Sequence, residues 1–207
     1  MASPIEFYFD FISPYGYLAS TRIETLSARY ARTVEWKPFL LGVTVLKIMG
    51  LKPLMNTPLK SDYVRRDKPR MARLLGVPFE QPNMRGVDSL RASRAFLWLK
   101  ERDPQRAKPF AHRIFSRLWA RREDITSAEA VAEEAGALGV DTPALIAAIE
   151  SAEGKQRLKT AVDEAVSRGV FGSPYFIVDR EPIWGVDRLW MLEHWLRHGN
   201  WEPPPAR

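Results

Sequence analysis

Apolar Ile5, Phe7, Phe9 and Phe11 alternate with Glu6, Tyr8 and Asp10, the period-two pattern of a strand, and aromatic side chains suit a pleated surface. After Ser13-Pro14, Leu18 or Ala19, Ile23, Leu26 and Tyr30 recur at helical spacing. Ser13 falls at the N-cap and Pro14 at the first helical position, a strong start signal. A second strand is expected over 33–37, ended by Pro38. Strand, helix and strand in so short a span read as a βαβ unit with parallel strands and a right-handed crossover.

From Val45 to Arg168 the pattern changes and no convincing strand is present. Leu51 to Leu59 holds Pro53 and Pro58 and reads as a loop. Helices are expected over 61–75, 89–102, 106–122, 127–138, 143–150 and 153–168. Thr126 to Glu129 fits a capping box, and Thr142-Pro143 fits an N-cap followed by the first helical residue.

Strand character returns at Tyr175 to Val178. A polar turn, Asp179-Arg180-Glu181, leads to Pro182-Ile183-Trp184, a hairpin signal. A last helix is expected over 187–197, with Leu189, Leu192, Trp195 and Leu196 on one face. The Pro-rich stretch from Trp201 to Arg207 reads as a loose tail. The order is βαβ, helices, ββα. That predicts an α/β, thioredoxin-like fold with a large all-helical insert. The sheet domain would comprise 1–45 and 169–207, and the insert 46–168.

Composition narrows the chemistry. The chain has 207 residues and no cysteine, which removes disulfides, thiolate metal sites, a cysteine nucleophile and dithiol redox work. No apolar run is long enough to span a bilayer. The first residues lack a secretory pattern, so the cytoplasm is the expected compartment. Net charge is +6, but the basic residues are scattered, without a basic tail or an aromatic-interleaved stripe. Nucleic acid is therefore not an expected partner, whereas a basic surface favours a small carboxylate by steering. His112, His194 and His198 are the only histidines, and no three-ligand metal spacing is present. Walker and dinucleotide glycine motifs are absent.

Four constellations remain. Ser13 lies where a strand feeds a helix, and backbone N–H groups and the helix dipole there favour negative charge. By spacing alone it is an ordinary cap. Ser173-Pro174 precedes the third strand and, in isolation, is a turn. Asp187 opens the last helix and reads either as its cap or, beside Arg188, as a partner for a ligand ammonium. Lys60, Tyr63 and Asp67 share one helix, with Tyr63 and Asp67 on one face. Lys60 is either solvated or matched to an anionic partner.

The run Phe7-Tyr8-Phe9-Asp10-Phe11-Ile12-Ser13-Pro14-Tyr15-Gly16-Tyr17-Leu18, together with Gly169 to Pro174 and Trp184 to Leu189, resembles the 2-hydroxychromene-2-carboxylate isomerases. These are similar to kappa-class glutathione transferases within the DsbA-like thioredoxin group. The resemblance spans nearly the whole chain. It implies glutathione as cofactor, with its sulfur at Ser13 and its cysteinyl part against the backbone of Ser173, before a cis Pro174. It implies γ-glutamyl contacts at Val186 and Asp187, beside Arg188, and further contacts from Lys60, Asp67 and Asn56. Val186 departs from the polar residue of the relatives and leaves only its backbone for a hydrogen bond. The implied reaction is isomerisation of a small aromatic carboxylate by reversible thiolate addition, with a homodimer as the assembly. A kappa-like transferase or peroxidase and a non-enzymatic thioredoxin-fold binding module are the alternatives.

Overall fold

The computed structural model describes residues 3–203. Four strands and eight α-helices follow the expected order: β1 (Ile5–Phe9), α1 (Pro14–Ala28), β2 (Val34–Pro38), α2 (Lys60–Leu74), α3 (Leu90–Arg102), α4 (Pro104–Trp119), α5 (Ala128–Gly136), α6 (Thr142–Glu150), α7 (Ala152–Ser167), β3 (Tyr175–Val178), β4 (Glu181–Trp184) and α8 (Leu189–His198). The sheet order is β2-β1-β3-β4. β1 pairs with β2 in parallel and with β3 antiparallel, and β3 pairs antiparallel with β4. This is the thioredoxin arrangement.

One apolar core joins the sheet to the helices between its halves. Phe7 meets Trp36 edge-on at 4.9 Å and stacks on Phe176 at 5.4 Å. Phe9 reaches Phe96 of α3 at 5.3 Å and Phe115 of α4 at 5.6 Å. The alternate face of β1 is covered too: Tyr8 packs with Phe39, Ala165, Val170, Tyr175 and Ile177. The polar-looking face of β1 is therefore not a solvent face, and Asp10 just beyond it is buried.

Several local expectations are corrected. Ser127, not Thr126, caps α5, accepting from the Ala130 N–H. Asp141, not Thr142, caps α6, accepting from the Ala144 N–H, so Thr142 and Pro143 lie inside the first turn. α4 starts earlier than expected because Pro104 supplies a first-turn residue directly after Asp103. A π-helical turn spans Gly42–Ile48, where Val43, Thr44 and Val45 give no amphipathic 3.6-residue stripe. The proline-bearing loop after it contains a 3₁₀ turn at Leu54–Asn56. The last helix is delayed by a 3₁₀ turn at Val186–Arg188. The start of the tail is anchored rather than loose: the Trp201 indole donates to Glu181 at 3.1 Å and packs on Trp195. Residues 204–207 of that tail lie outside the described residues. Among the described residues, no helix is long and apolar enough to cross a membrane.

Phe9 links sheet and helical segment through one ring. Phe9→Ala is expected to lower unfolding free energy by about 3–5 kcal/mol, as for other buried aromatic truncations. Urea denaturation monitored by tryptophan fluorescence measures it.

Candidate active site

Ser13 has extended backbone geometry and caps α1, its Oγ accepting from the Gly16 N–H at 3.0 Å. The same hydroxyl donates to the Ser173 carbonyl at 2.8 Å. Ser13 is 3% exposed and Ser173 8%. Ser173-Pro174 is a cis peptide, and the Ser173 Oγ accepts from the Asp10 N–H at 3.0 Å. The loop before β3 is thereby held from both sides against the start of α1.

Gly16 makes that approach possible. A Cβ there would lie 2.7 Å from Ser173 Oγ and 3.3 Å from Ser13 Cβ, inside normal contact. The turn after β4 joins the same group, since the Gly185 N–H donates to the Pro174 carbonyl at 3.0 Å. Gly185 has φ 105°, which disfavours a side chain. A Cβ would also overlap the Asp187 carboxylate that folds back over it.

Asp187 does not cap α8; neither that helix nor the 3₁₀ turn before it has a side-chain cap. Its side chain is 63% exposed, with Arg188 Nη1 at 3.6 Å. Arg188 itself donates to the Trp184 carbonyl at 2.9 Å and lies over that indole. Val186 is buried, so its side chain faces the core.

Asp67 enters through Tyr15, whose hydroxyl donates to Asp67 Oδ2 at 2.6 Å. Arg70 closes on the other oxygen, with Nη2 at 2.7 Å. Burial, then the Asp67 carboxylate, pushes the Tyr15 phenol far above its usual range. Tyr63 turns to stack under Arg70. Lys60, the first residue of α2, is exposed and makes no ion pair among the described residues. It follows Leu59, which has φ 66°. Asn56 is exposed at the end of the 3₁₀ turn. The structure thus links Ser13, Ser173, Pro174 and the 185–188 turn directly, and Asp67 through Tyr15. Asn56 and Lys60 have no direct side-chain link to that group.

Sequence reasoning passed over Gly16, Tyr15, Asp10 and Lys68. Lys68 is 2% exposed on α2, with its ammonium held by the Gln81 side-chain carbonyl and by Met55 Sδ at 3.7 Å. Burial, assisted by Arg65, pushes its pKa down to about 8. The helical spacing of Val64, Lys68 and Ala72 was the available signal. Two open clefts, of about 400 and 660 Å³, lie among the helices between the sheet halves, and neither is lined by Ser13 or Ser173.

The sequence profile of the DSBA-like thioredoxin domain matches residues 4–197. The chain belongs to that family. It is 30% identical to 2-hydroxychromene-2-carboxylate isomerase of Pseudomonas putida, covering 91% of this chain and 92% of that protein. It is 29% identical to glutathione S-transferase kappa 1 of Caenorhabditis elegans, over 98% of this chain and 94% of that protein. A solved 2-hydroxychromene-2-carboxylate isomerase superposes with TM-score 0.83 at 29% identity, covering 92% of each chain. A probable DsbA oxidoreductase from Streptomyces coelicolor, 17% identical with TM-score 0.74 over 99% of this chain and 93% of that one, shares the fold. Among DsbA-like proteins, this chain therefore groups with isomerases and kappa-class transferases.

Alanine inside a helix ordinarily stabilises by about 1 kcal/mol relative to glycine. At position 16 the sign is expected to reverse. Gly16→Ala should cost about 1–3 kcal/mol through overpacking, and less in a Ser173→Ala background. Equal costs in the two backgrounds, by denaturant titration, would exclude the Ser173 contact as the cause.

Proposed function

We propose that this protein is a glutathione-dependent isomerase of a small aromatic carboxylate of the 2-hydroxychromene-2-carboxylate kind. The observation that carries the reading is the Ser13 hydroxyl at the N-terminus of α1, facing the Ser173 carbonyl, in a chain that aligns along most of its length with such isomerases.

The residues present fit glutathione. Asp187 is exposed, and its nearest cation is not in close contact, which suits an ammonium group. Lys60 is an exposed cation without an ion pair among the described residues, which suits a carboxylate. Asn56 and Asp67 lie before and after it in the chain, and Val186 offers its backbone N–H beside Asp187 and Arg188. Ser173 before Pro174 offers its backbone to an extended peptide: its carbonyl, held by the Ser13 hydroxyl, is released when that hydroxyl turns to the ligand, whereas the Pro174 carbonyl is already taken by the Gly185 N–H. When bound, glutathione supplies a thiolate that adds reversibly to a conjugated carbon, so that a double bond becomes rotatable.

The Ser13 hydroxyl can turn from the Ser173 carbonyl toward a sulfur without breaking the cap, because it accepts from Gly16 through a lone pair. A neutral donor and the positive end of α1 both favour the thiolate over the thiol. Ser13 keeps its own proton, so it acts as an electrostatic donor and not as the nucleophile. Ile12 and Pro14 flank this donor in the chain, and the basic surface draws in a carboxylate substrate.

The substrate would lie between the sheet domain, 1–45 with 169–207, and the insert, 46–168. A cytoplasmic homodimer completes the reading. Transfer of glutathione to an electrophile is the second reading, supported by the match to a kappa-class transferase over 98% of this chain. Incubation with 2-hydroxychromene-2-carboxylate and glutathione, followed by absorbance and a thiol count, separates them. Isomerisation leaves the thiol count unchanged, transfer lowers it, and an absence of glutathione binding favours a binding module.

Ser13→Ala should fold, with a loss of about 0.5–2 kcal/mol for the missing cap and a further loss of about 1–3 kcal/mol for the Ser173 carbonyl left unpaired. The thiol pKa of bound glutathione, read from thiolate absorbance, should rise by about one to two units, the equivalent of one charge-assisted hydrogen bond. An unchanged thiol pKa with unchanged activity rejects the role given to Ser13.

Asp187→Ala removes an exposed carboxylate. Glutathione should bind roughly tenfold more weakly by calorimetry, while unfolding free energy stays within about 0.5 kcal/mol. Unaltered affinity would remove Asp187 from the site.

A further inference from the structure

Asp10 is 1% exposed, and nothing in the reading above uses its side chain. Its Oδ1 accepts from the Ser89 hydroxyl at 2.5 Å and from the Ile12 N–H at 3.2 Å, and its Oδ2 accepts from the Leu41 N–H at 2.8 Å. Those donors belong to three places: the N-terminus of α3, the β1–α1 turn, and the segment between β2 and the π-helical turn. The Asp10 main chain reaches the site itself. Its N–H donates to Ser173 Oγ at 3.0 Å, and its carbonyl accepts from the Ser13 N–H at 2.9 Å.

Ser89 supplies independent support. It occupies the N-cap of α3 yet makes no capping bond to that helix. A serine there ordinarily satisfies one of the orphan N–H groups, but this hydroxyl turns to Asp10 instead. The three groups aimed at the carboxyl are all neutral donors, and no cation among the described residues pairs with it. Asp88, next to Ser89, is the charged neighbour, and its sign is the same.

We propose that Asp10 is a positioning residue for the thiol site, clamping the start of α3 and the Leu41 segment to the turn that presents Ser13 and Ser173. The placement of the helical segment against the sheet then sets the geometry of the sulfur berth. This rests on the assignment of Ser13 to the sulfur.

An acid suits the role better than an amide. Both carboxylate oxygens accept, whereas an amide would aim an NH2 group at either the Ile12 or the Leu41 N–H. Burial first, with a smaller contribution from Asp88 and opposed by the three hydrogen bonds, pushes the Asp10 pKa up to about 6. A folded-state value above the unfolded one means that the native state binds more protons. The resulting contribution to stability is fully present below the unfolded value and is lost as pH rises through the folded one.

The test compares wild type, Asp10→Asn and Ser89→Ala, first without ligand and then with glutathione. Hydrogen exchange in ligand-free Asp10→Asn should quicken at whichever of the Ile12 and Leu41 amides meets the NH2 group, by roughly tenfold for a lost bond to a charged acceptor. In Ser89→Ala both should quicken by less, since the carboxylate keeps those two bonds while α3 is untied from it. Glutathione should bind more weakly to both by a similar factor, although Ser89→Ala leaves the acid and Ser13 untouched. Between pH 4 and pH 7 the wild type should lose stability relative to Asp10→Asn, because only the acid gives up a proton over that range. A purely structural role would lower stability and leave affinity alone. Unchanged exchange at Ile12 and Leu41 in both variants overturns the clamp, as does quickened exchange with unchanged affinity. Should wild type itself fail to bind glutathione, the functional reading and the link to the sulfur berth fall together, while exchange still decides the clamp's contacts.

Discussion

The close approach of the Ser173-Pro174 loop to the first turn of α1 is the constraint on which the site depends. Three contacts hold it: the Ser13 hydroxyl on the Ser173 carbonyl, the Asp10 N–H on the Ser173 hydroxyl, and the Gly185 N–H on the Pro174 carbonyl. One omission permits it, the missing side chain at Gly16. Buried polar groups of this kind stabilise only when every partner is present. The loop before β3 and the helix after β1 are therefore fixed as a unit although the helical segment separates them in the chain.

That unit sits on a sheet covered on both faces. Phe7 and Phe9 bind β1 to α3 and α4 through aromatic contacts, while Tyr8 packs toward α7 and the loop before β3. The helical segment is thus a continuation of the core and not an appendage. A residue such as Ser89, at the start of α3, can for that reason reach a carboxyl at the end of β1. The π-helical turn and the 3₁₀ turn between β2 and α2 carry exposed apolar side chains such as Ile48 and Leu54, and ties of this segment to the body include Leu41 on Asp10 and Met55 on Lys68.

The charge pattern follows a single logic. Groups at the first turn of α1 are neutral donors, which leave the positive end of the helix uncompensated and open to an anion. Asp67 is neutralised by Arg70 and by a tyrosine hydroxyl. Asp187 lies outside, exposed beside Arg188. Carboxylates close to the turn are protected by hydrogen bonds, and the less protected one stands at the rim.

Periodicity along the chain was enough to order the elements, because alternation in β1 and helical spacing in the segment after β2 are local signals. The Ser13 cap was equally legible, since a cap is set by residues adjacent in sequence. Thr126 and Thr142 misled because neighbouring Ser127 and Asp141 offer the same chemistry one residue away, and only the helix phase decides between them. Asp10 looked like the polar half of an alternating strand, yet it is buried, with Ser89, Ile12 and Leu41 bonded to its carboxyl. Whether Asp187 capped a helix or faced outward, and whether Tyr63 or Tyr15 met Asp67, depended on side-chain direction across elements. The sequence by itself determined the elements, their order and the polar residue at the head of α1, all matters of short range. Tertiary structure alone decided which distant residues share hydrogen bonds with Ser13, because those partners are brought within reach only when the core closes around β1.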